Sequence, residues 1–175
     1  MIAMRGQGWV AALGVALAFA ASPAGAAEPI RIAVFPFGLI DDSQEGEAYG
    51  VRADETRRLE LVTAALIEDI KADGRYQVVD LAPVAADVKA NLPIHSCNGC
   101  EDRLAKAAGA GLAIVATVQK VSNLILNLNL YVRDVVAERT TKAMSVDIRG
   151  NTDESWLRGV KYLAKNRLLA KDVSK

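Results

Sequence analysis

The chain has 175 residues, with 21 basic and 21 acidic side chains, one histidine and two cysteines. No basic run stands in it, which excludes the electrostatic footprint of a nucleic-acid binder and of a polybasic membrane patch. Its length predicts one domain.

The first residues read as an export signal. Arg5 gives a positive start, Trp9 to Ala21 is apolar and uncharged, and Ser22-Pro23 interrupts the run. Ala24-Gly25-Ala26 is a small-residue cleavage site. The apolar run falls short of the roughly 20 residues that span a bilayer. A signal peptide over 1–26, cut after Ala26, is therefore expected rather than an uncleaved anchor. No cysteine follows the cut, so no lipid anchor is expected. Removing 26 of the 175 residues leaves 149, residues 27–175. A domain of that size buries about 68–70% of its unfolded surface. The expected location is the periplasm, with no membrane span in the mature chain.

IRIAVFPFGLI (30–40) is nearly all apolar and predicts a buried strand that ends near Pro36. DDSQEGEAYG (41–50) reads as a polar, acidic loop leading to a helix. The helix is expected over 55–73, because Leu59, Val62, Leu66 and Ile70 recur at helical spacing and Gly74 suits a left-handed cap. Tyr76 to Asp80 predicts a short strand, and Val84 to Ala90 a short helix after Pro83. Another short helix is expected over 101–108. Leu112 to Val121 predicts a strand, SNLILNLNLYVRD (122–134) its partner, and Arg139 to Gly150 a third strand of the meander. Asn151 or Thr152 would cap a last helix, with Asp153 and Glu154 in its first turn and Trp156 on its buried side. The order is β-α-β-α-α-β-β-β-α: a single α/β domain (α+β, mixed sheet) with helices packed on the sheet.

Three polar features carry the functional reading. In 122–134, alternate residues face opposite sides. Leu124, Leu126, Leu128, Leu130 and Val132 should meet the helices. Asn123, Ile125, Asn127, Asn129, Tyr131 and Arg133 share the other face. Asparagine forms strands poorly yet offers donors and acceptors without charge. Either this face is solvated and internally bonded, or it binds a partner through Asn127, Asn129, Tyr131 and Arg133. Arg149, in the polar stretch RGNTDESW, could frame the same surface.

His95-Ser96-Cys97-Asn98-Gly99-Cys100 is the second feature. In an oxidising compartment Cys97 and Cys100 are expected to form a disulfide, and Gly99 eases the small ring. Thiol exchange is an alternative, since Cys100 stands at a helix start. Metal is another, with His95, Cys97 and Cys100 as ligands, although a closed zinc site needs a fourth. Covalent haem is excluded, because Glu101 stands where the motif needs histidine. Third, Asp41, Asp42, Glu45 and Glu47 could bind calcium, but they lack EF-hand spacing and read as a solvated loop. Phosphate-binding loops, HExxH and nucleophile elbows are absent from the sequence. No catalytic residue, metal or cofactor is expected.

IAVFPF, GRYQVVD and AKAAGAGLAIVATVQKV, in this order around an amphipathic helix and before a meander, resemble the amino-terminal domain of the translocation protein TolB and the related domain of curli-secretion lipoproteins. HSCNGC, VQKVSNLILNLNLYVRD and VDIRGNTDESWLRG resemble a family of short secreted bacterial proteins known as a domain of unknown function. The first resemblance implies a non-enzymatic α/β domain that works through contact with a periplasmic protein partner. The second implies an association with a periplasmic quinoprotein oxidation system.

Overall fold

The computed structural model describes residues 28–170; the expected signal peptide lies outside them. Strands β1 (Ile30–Val34), β2 (Gly38–Asp41), β3 (Tyr76–Val78), β4 (Leu112–Lys120), β5 (Ile125–Asp134) and β6 (Arg139–Arg149) form one sheet. The helices are α1 (Gln44–Tyr49), α2 (Ala53–Asp73), α3 (Ala85–Ala90), α4 (Cys100–Ala107) and α5 (Asp153–Leu163). The sheet order is β3-β1-β4-β5-β6, with β2 also paired to β4. Pairings β1–β3, β1–β4 and β2–β4 are parallel, and β4–β5–β6 is an antiparallel meander. The mixed α+β single domain expected from the sequence is what the chain forms.

Two elements depart from the sequence reading. The first strand ends before Pro36, as expected, but the apolar run goes on to form a second strand that was not expected. β1 pairs with Leu112–Ile114 and β2 with Thr117–Lys120, so both use the same edge of β4. Phe35-Pro36-Phe37 separates them. Proline cannot donate to a ladder, and the Phe37 N–H leaves the sheet to donate to Thr63 Oγ1 of α2 at 3.1 Å. The acidic stretch after β2 contains α1, where a loop was expected. Ser43 caps it, accepting from the Gly46 N–H, and Asp41 Oδ1 accepts from the Ser43 N–H. None of its side chains is buried, so no apolar period announced it.

The two sheet faces differ. On one, α2 and α5 cover the inward residues of β1, β4, β5 and β6 in a core containing Val62, Leu66, Ile70, Leu126, Leu128, Leu130 and Trp156, all at most 1% exposed. Burial of each such aliphatic side chain contributes about 1.5–3 kcal/mol relative to exposure. Leu124 does not join it. It lies in the turn before β5 and is 72% exposed. On the other face, Ala33, Phe35, Ala113 and Val115 are covered by Val84, Val88, Ile94 and Leu104 from α3, α4 and their flanking turns. That cluster does not extend across the middle of β5 and β6. Thr152, rather than Asn151, caps α5, its Oγ1 accepting from the Ser155 N–H.

Candidate functional site

On this second face β5 displays the asparagine row, between β6 and the buried Val115 and Thr117 of β4. Cross-strand register puts Gln119, Asn127 and Asp147 side by side, then Thr117, Asn129 and Ser145, then Val115, Tyr131 and Ala143. Asn127 is engaged internally: its Nδ2 donates to Asp147 Oδ1 at 2.7 Å. Asn129 makes no side-chain hydrogen bond among the described residues. Tyr131 is 37% exposed. Of the two asparagines on this face, Asn129 is thus the one whose amide has no side-chain partner among the described residues.

Arg133 stands apart from that surface. Its Nε donates to Asp102 Oδ1 at 2.9 Å and its Nη2 to the same carboxylate. Nη2 also donates to the Glu138 carbonyl, and Glu101 Oε1 lies 3.3 Å from Nε. The guanidinium therefore clamps α4 to the β5–β6 hairpin. Arg149 is exposed; its carbonyl accepts from Ser155 Oγ at 2.6 Å. Asn123 is not on the face at all. It sits in the β4–β5 turn, where its Nδ2 donates to Glu45 at 2.8 Å.

Cys97 and Cys100 are joined by a disulfide. Cys100 opens α4, and Gly99 precedes it at φ 92°, a left-handed conformation that favours glycine. Glu101 Oε2 accepts from the Gly99 N–H at 3.0 Å and lies 3.3 Å from Cys97 Sγ. A carboxylate there opposes a thiolate, whereas reactive cysteines sit in electropositive surroundings. His95 is not gathered with the sulfurs. Cys97, Cys100 and Glu101 have ligand atoms within 4.8 Å of one another, and His95 is outside that group. The imidazole instead lies over Gly38: a Cβ there would come within 2.2 Å of Nδ1. That nitrogen is buried with no hydrogen-bond partner among the described residues, and burial lowers the pKa of His95, favouring the neutral ring.

A second polar centre escaped the sequence reading. Lys120, at the end of β4, has no exposed side-chain surface. Its Nζ lies 2.7 Å from Glu55 Oε1, 3.1 Å from Glu45 Oε2 and 3.2 Å from Asp41 Oδ2. Burial pulls the Lys120 pKa down, but its bonds to Glu55, Glu45 and Asp41 prevail and raise it. Lys120, Asn123 and Arg52 hold Glu45 down to about 2. Burial raises Asp41, but bonds from Ser43 and Lys120 outweigh it and lower its pKa. Glu55 is itself buried and also accepts from Asn151 Nδ2 and the Arg52 N–H. Arg58 extends the network to Asn151, Asp54 and Asp153. The acidic stretch is therefore no solvated loop: Asp41 and Glu45 are ion-paired within the fold. Only the apolar company of Lys120 in the sequence, LAIVATVQKV, could have flagged it.

No curated protein matches the chain. Solved structures with a similar arrangement include the LpoB carboxy-terminal domain from Salmonella enterica, 13% identical over 72% of this chain and 87% of that one, at TM-score 0.48. A lipoprotein from Neisseria meningitidis is 21% identical over 83% of this chain and 100% of that one, at 0.47. TolB from Acinetobacter baumannii is 12% identical over 78% of this chain and 28% of that one, at 0.42. Likeness of this order carries no statement about function. A family described as "Protein of unknown function (DUF2380)" matches residues 30–168, and the chain belongs to that family.

Proposed function

We propose that this protein is a non-catalytic accessory module of the periplasm that works by contact with another protein. The observation that carries this is the open sheet face around Asn129. A neutral amide without an internal partner stands there beside half-exposed Tyr131, in line with Ser145. Tyrosine supplies apolar area with a polar tip, and asparagine supplies adaptable hydrogen bonds. Asn127 and Arg149 border the contact; Arg133 supports it from below as a structural clamp. The export pattern in residues 1–26 supports the compartment, as does a disulfide, the form cysteines keep where the surroundings are oxidising. No helix among the described residues is long and apolar enough to cross a membrane.

The test is photo-crosslinking in the periplasm from a reactive side chain at Ser145, exposed and paired across the strands with Asn129, with exposed Glu68 on α2 as the control position. A discrete adduct from Ser145 that Tyr131→Ala abolishes is the expected result. Equal labelling from both positions removes the face from consideration. Components of a quinoprotein oxidation system are the first partners to look for in the adduct.

A further inference from the structure

A groove on the opposite side of α2 from the polar network has no part in the reading above. It has a volume of about 610 Å³, within the 300–1,000 Å³ common for ligand sites. Phe37, Leu39, Leu59, Ile67, Leu92 and Pro93 line it. It exists because α2 carries two stripes. Val62, Leu66 and Ile70 face the sheet, while Thr56, Leu59, Thr63 and Ile67 face the groove. The break between β1 and β2 turns Phe37 and Leu39 toward the same space. Exposed Val51 and Leu92, at 60% and 49%, continue its apolar surface outward.

The chemistry of the lining selects the occupant. Thr63 Oγ1 donates to the Leu59 carbonyl at 2.7 Å and accepts from the Phe37 N–H. Thr56 Oγ1 donates to the Arg52 carbonyl at 3.3 Å. Both hydroxyls already have partners, so the walls call for no polar ligand atom. Glu60 is the one charged side chain lining the groove; it is exposed and has no ion-pair partner among the described residues. From Thr56 to Ile67 the helix rises about 16 Å, so the groove is elongated. An elongated apolar trough beside one unpaired carboxylate fits an alkyl chain and repels an anionic head group.

We propose that this groove binds a cationic amphiphile, its alkyl chain along α2 and its ammonium head against Glu60. The test uses N-phenylnaphthylamine as an apolar fluorescent reporter on the folded protein, displaced by dodecylamine or dodecanoate below their micelle concentrations. Dodecylamine should displace the reporter at concentrations at least about tenfold lower than dodecanoate. Glu60→Gln should erase that preference while leaving reporter binding intact. Ala64→Trp, at an exposed lining position, should weaken reporter binding by about tenfold or more with an unchanged circular dichroism spectrum; Thr56→Trp should do the same from the other end. The proposal is overturned if the reporter does not bind, if both filled variants bind it like the parent, or if dodecanoate competes as well as the amine. It is also overturned if sedimentation shows a dimer that Ala64→Glu dissociates, since the groove would then be covered by a second copy.

Discussion

The protein keeps its polar chemistry in two places, and they are built on opposite terms. Around Lys120, full charges are buried or half-buried and every one is matched. Around Asn129, a half-buried neutral amide is left without a side-chain partner among the described residues. Charge is costly to bury unless paired and hydrogen-bonded, so the sealed centre is a closed set: Lys120 answers Glu55, Glu45 and Asp41. An uncharged donor and acceptor loses little in contact with water, so the face proposed for the contact can stay unsatisfied at little cost. Polarity alone does not mark a site. What separates structure from function here is whether the hydrogen bonds are already spoken for.

Breaking the sealed centre should have the largest effect. Lys120→Ala leaves Glu55 buried without its cation and should cost about 3–5 kcal/mol in urea denaturation. The double variant Lys120→Met, Glu55→Leu should lose less than Lys120→Ala, because the most deeply buried of the carboxylates that Lys120 answers is removed with it. If the double variant is the weaker of the two, the network contributes net stability beyond mutual neutralisation.

Acid should act on the same centre and not on the face. Glu45 is depressed from 4.5 to about 2 in the fold. A depressed carboxylate contributes stability that is present above its unfolded pKa and lost as pH falls through the folded one. The melting temperature should therefore drop as pH falls below 4.5 and keep dropping toward about 2. Lys120→Met should flatten that slope, since the Lys120 bond is the largest cause of the Glu45 shift. An unchanged slope would separate acid sensitivity from this centre.

The disulfide should count for less. Its loop is so short that the Cys97→Ser, Cys100→Ser double variant should lose only about 2 kcal/mol, read by the same denaturation. The smallest effect belongs to the open face. Asn129→Ala should change stability by no more than about 0.5 kcal/mol while abolishing the crosslink partner's retention. A large stability loss there would mean that the amide bonds within the fold, and the contrast between the two regions would collapse.

Much of the fold could be read from periodicity. The 3.6-residue stripe of α2 and the alternation of β5 gave the helices and the meander, and Thr152 was one of the two caps expected for α5. Where the signal was not apolar, reading failed. α1 buries nothing, so its pattern was invisible, and although the first strand was expected to end near Pro36, the apolar residues beyond it gave no separate sign of β2. The polar sites were legible only in part. Alternation put Asn127, Asn129 and Tyr131 on one face, but it could not show that Asp147 already holds Asn127 or that Asp102 holds Arg133. Nor could proximity in sequence show that the Phe35-Pro36-Phe37 break and Gly38 would draw His95 away from Cys97 and Cys100. The Lys120 centre joins residues 65 to 79 positions apart, a separation that no local pattern reports.

Because α1 is moored by ionic contacts and caps with no apolar footing, its attachment is a matter of ionic strength. Concentrated salt screens partly exposed pairs such as Arg52–Glu45 more than it screens a packed core. Tyr49, 81% exposed at the end of α1, offers an aromatic cleavage point at the place that loosens first. The first cut by chymotrypsin should accordingly fall after Tyr49 and quicken as salt rises, leaving the sheet and its helices whole.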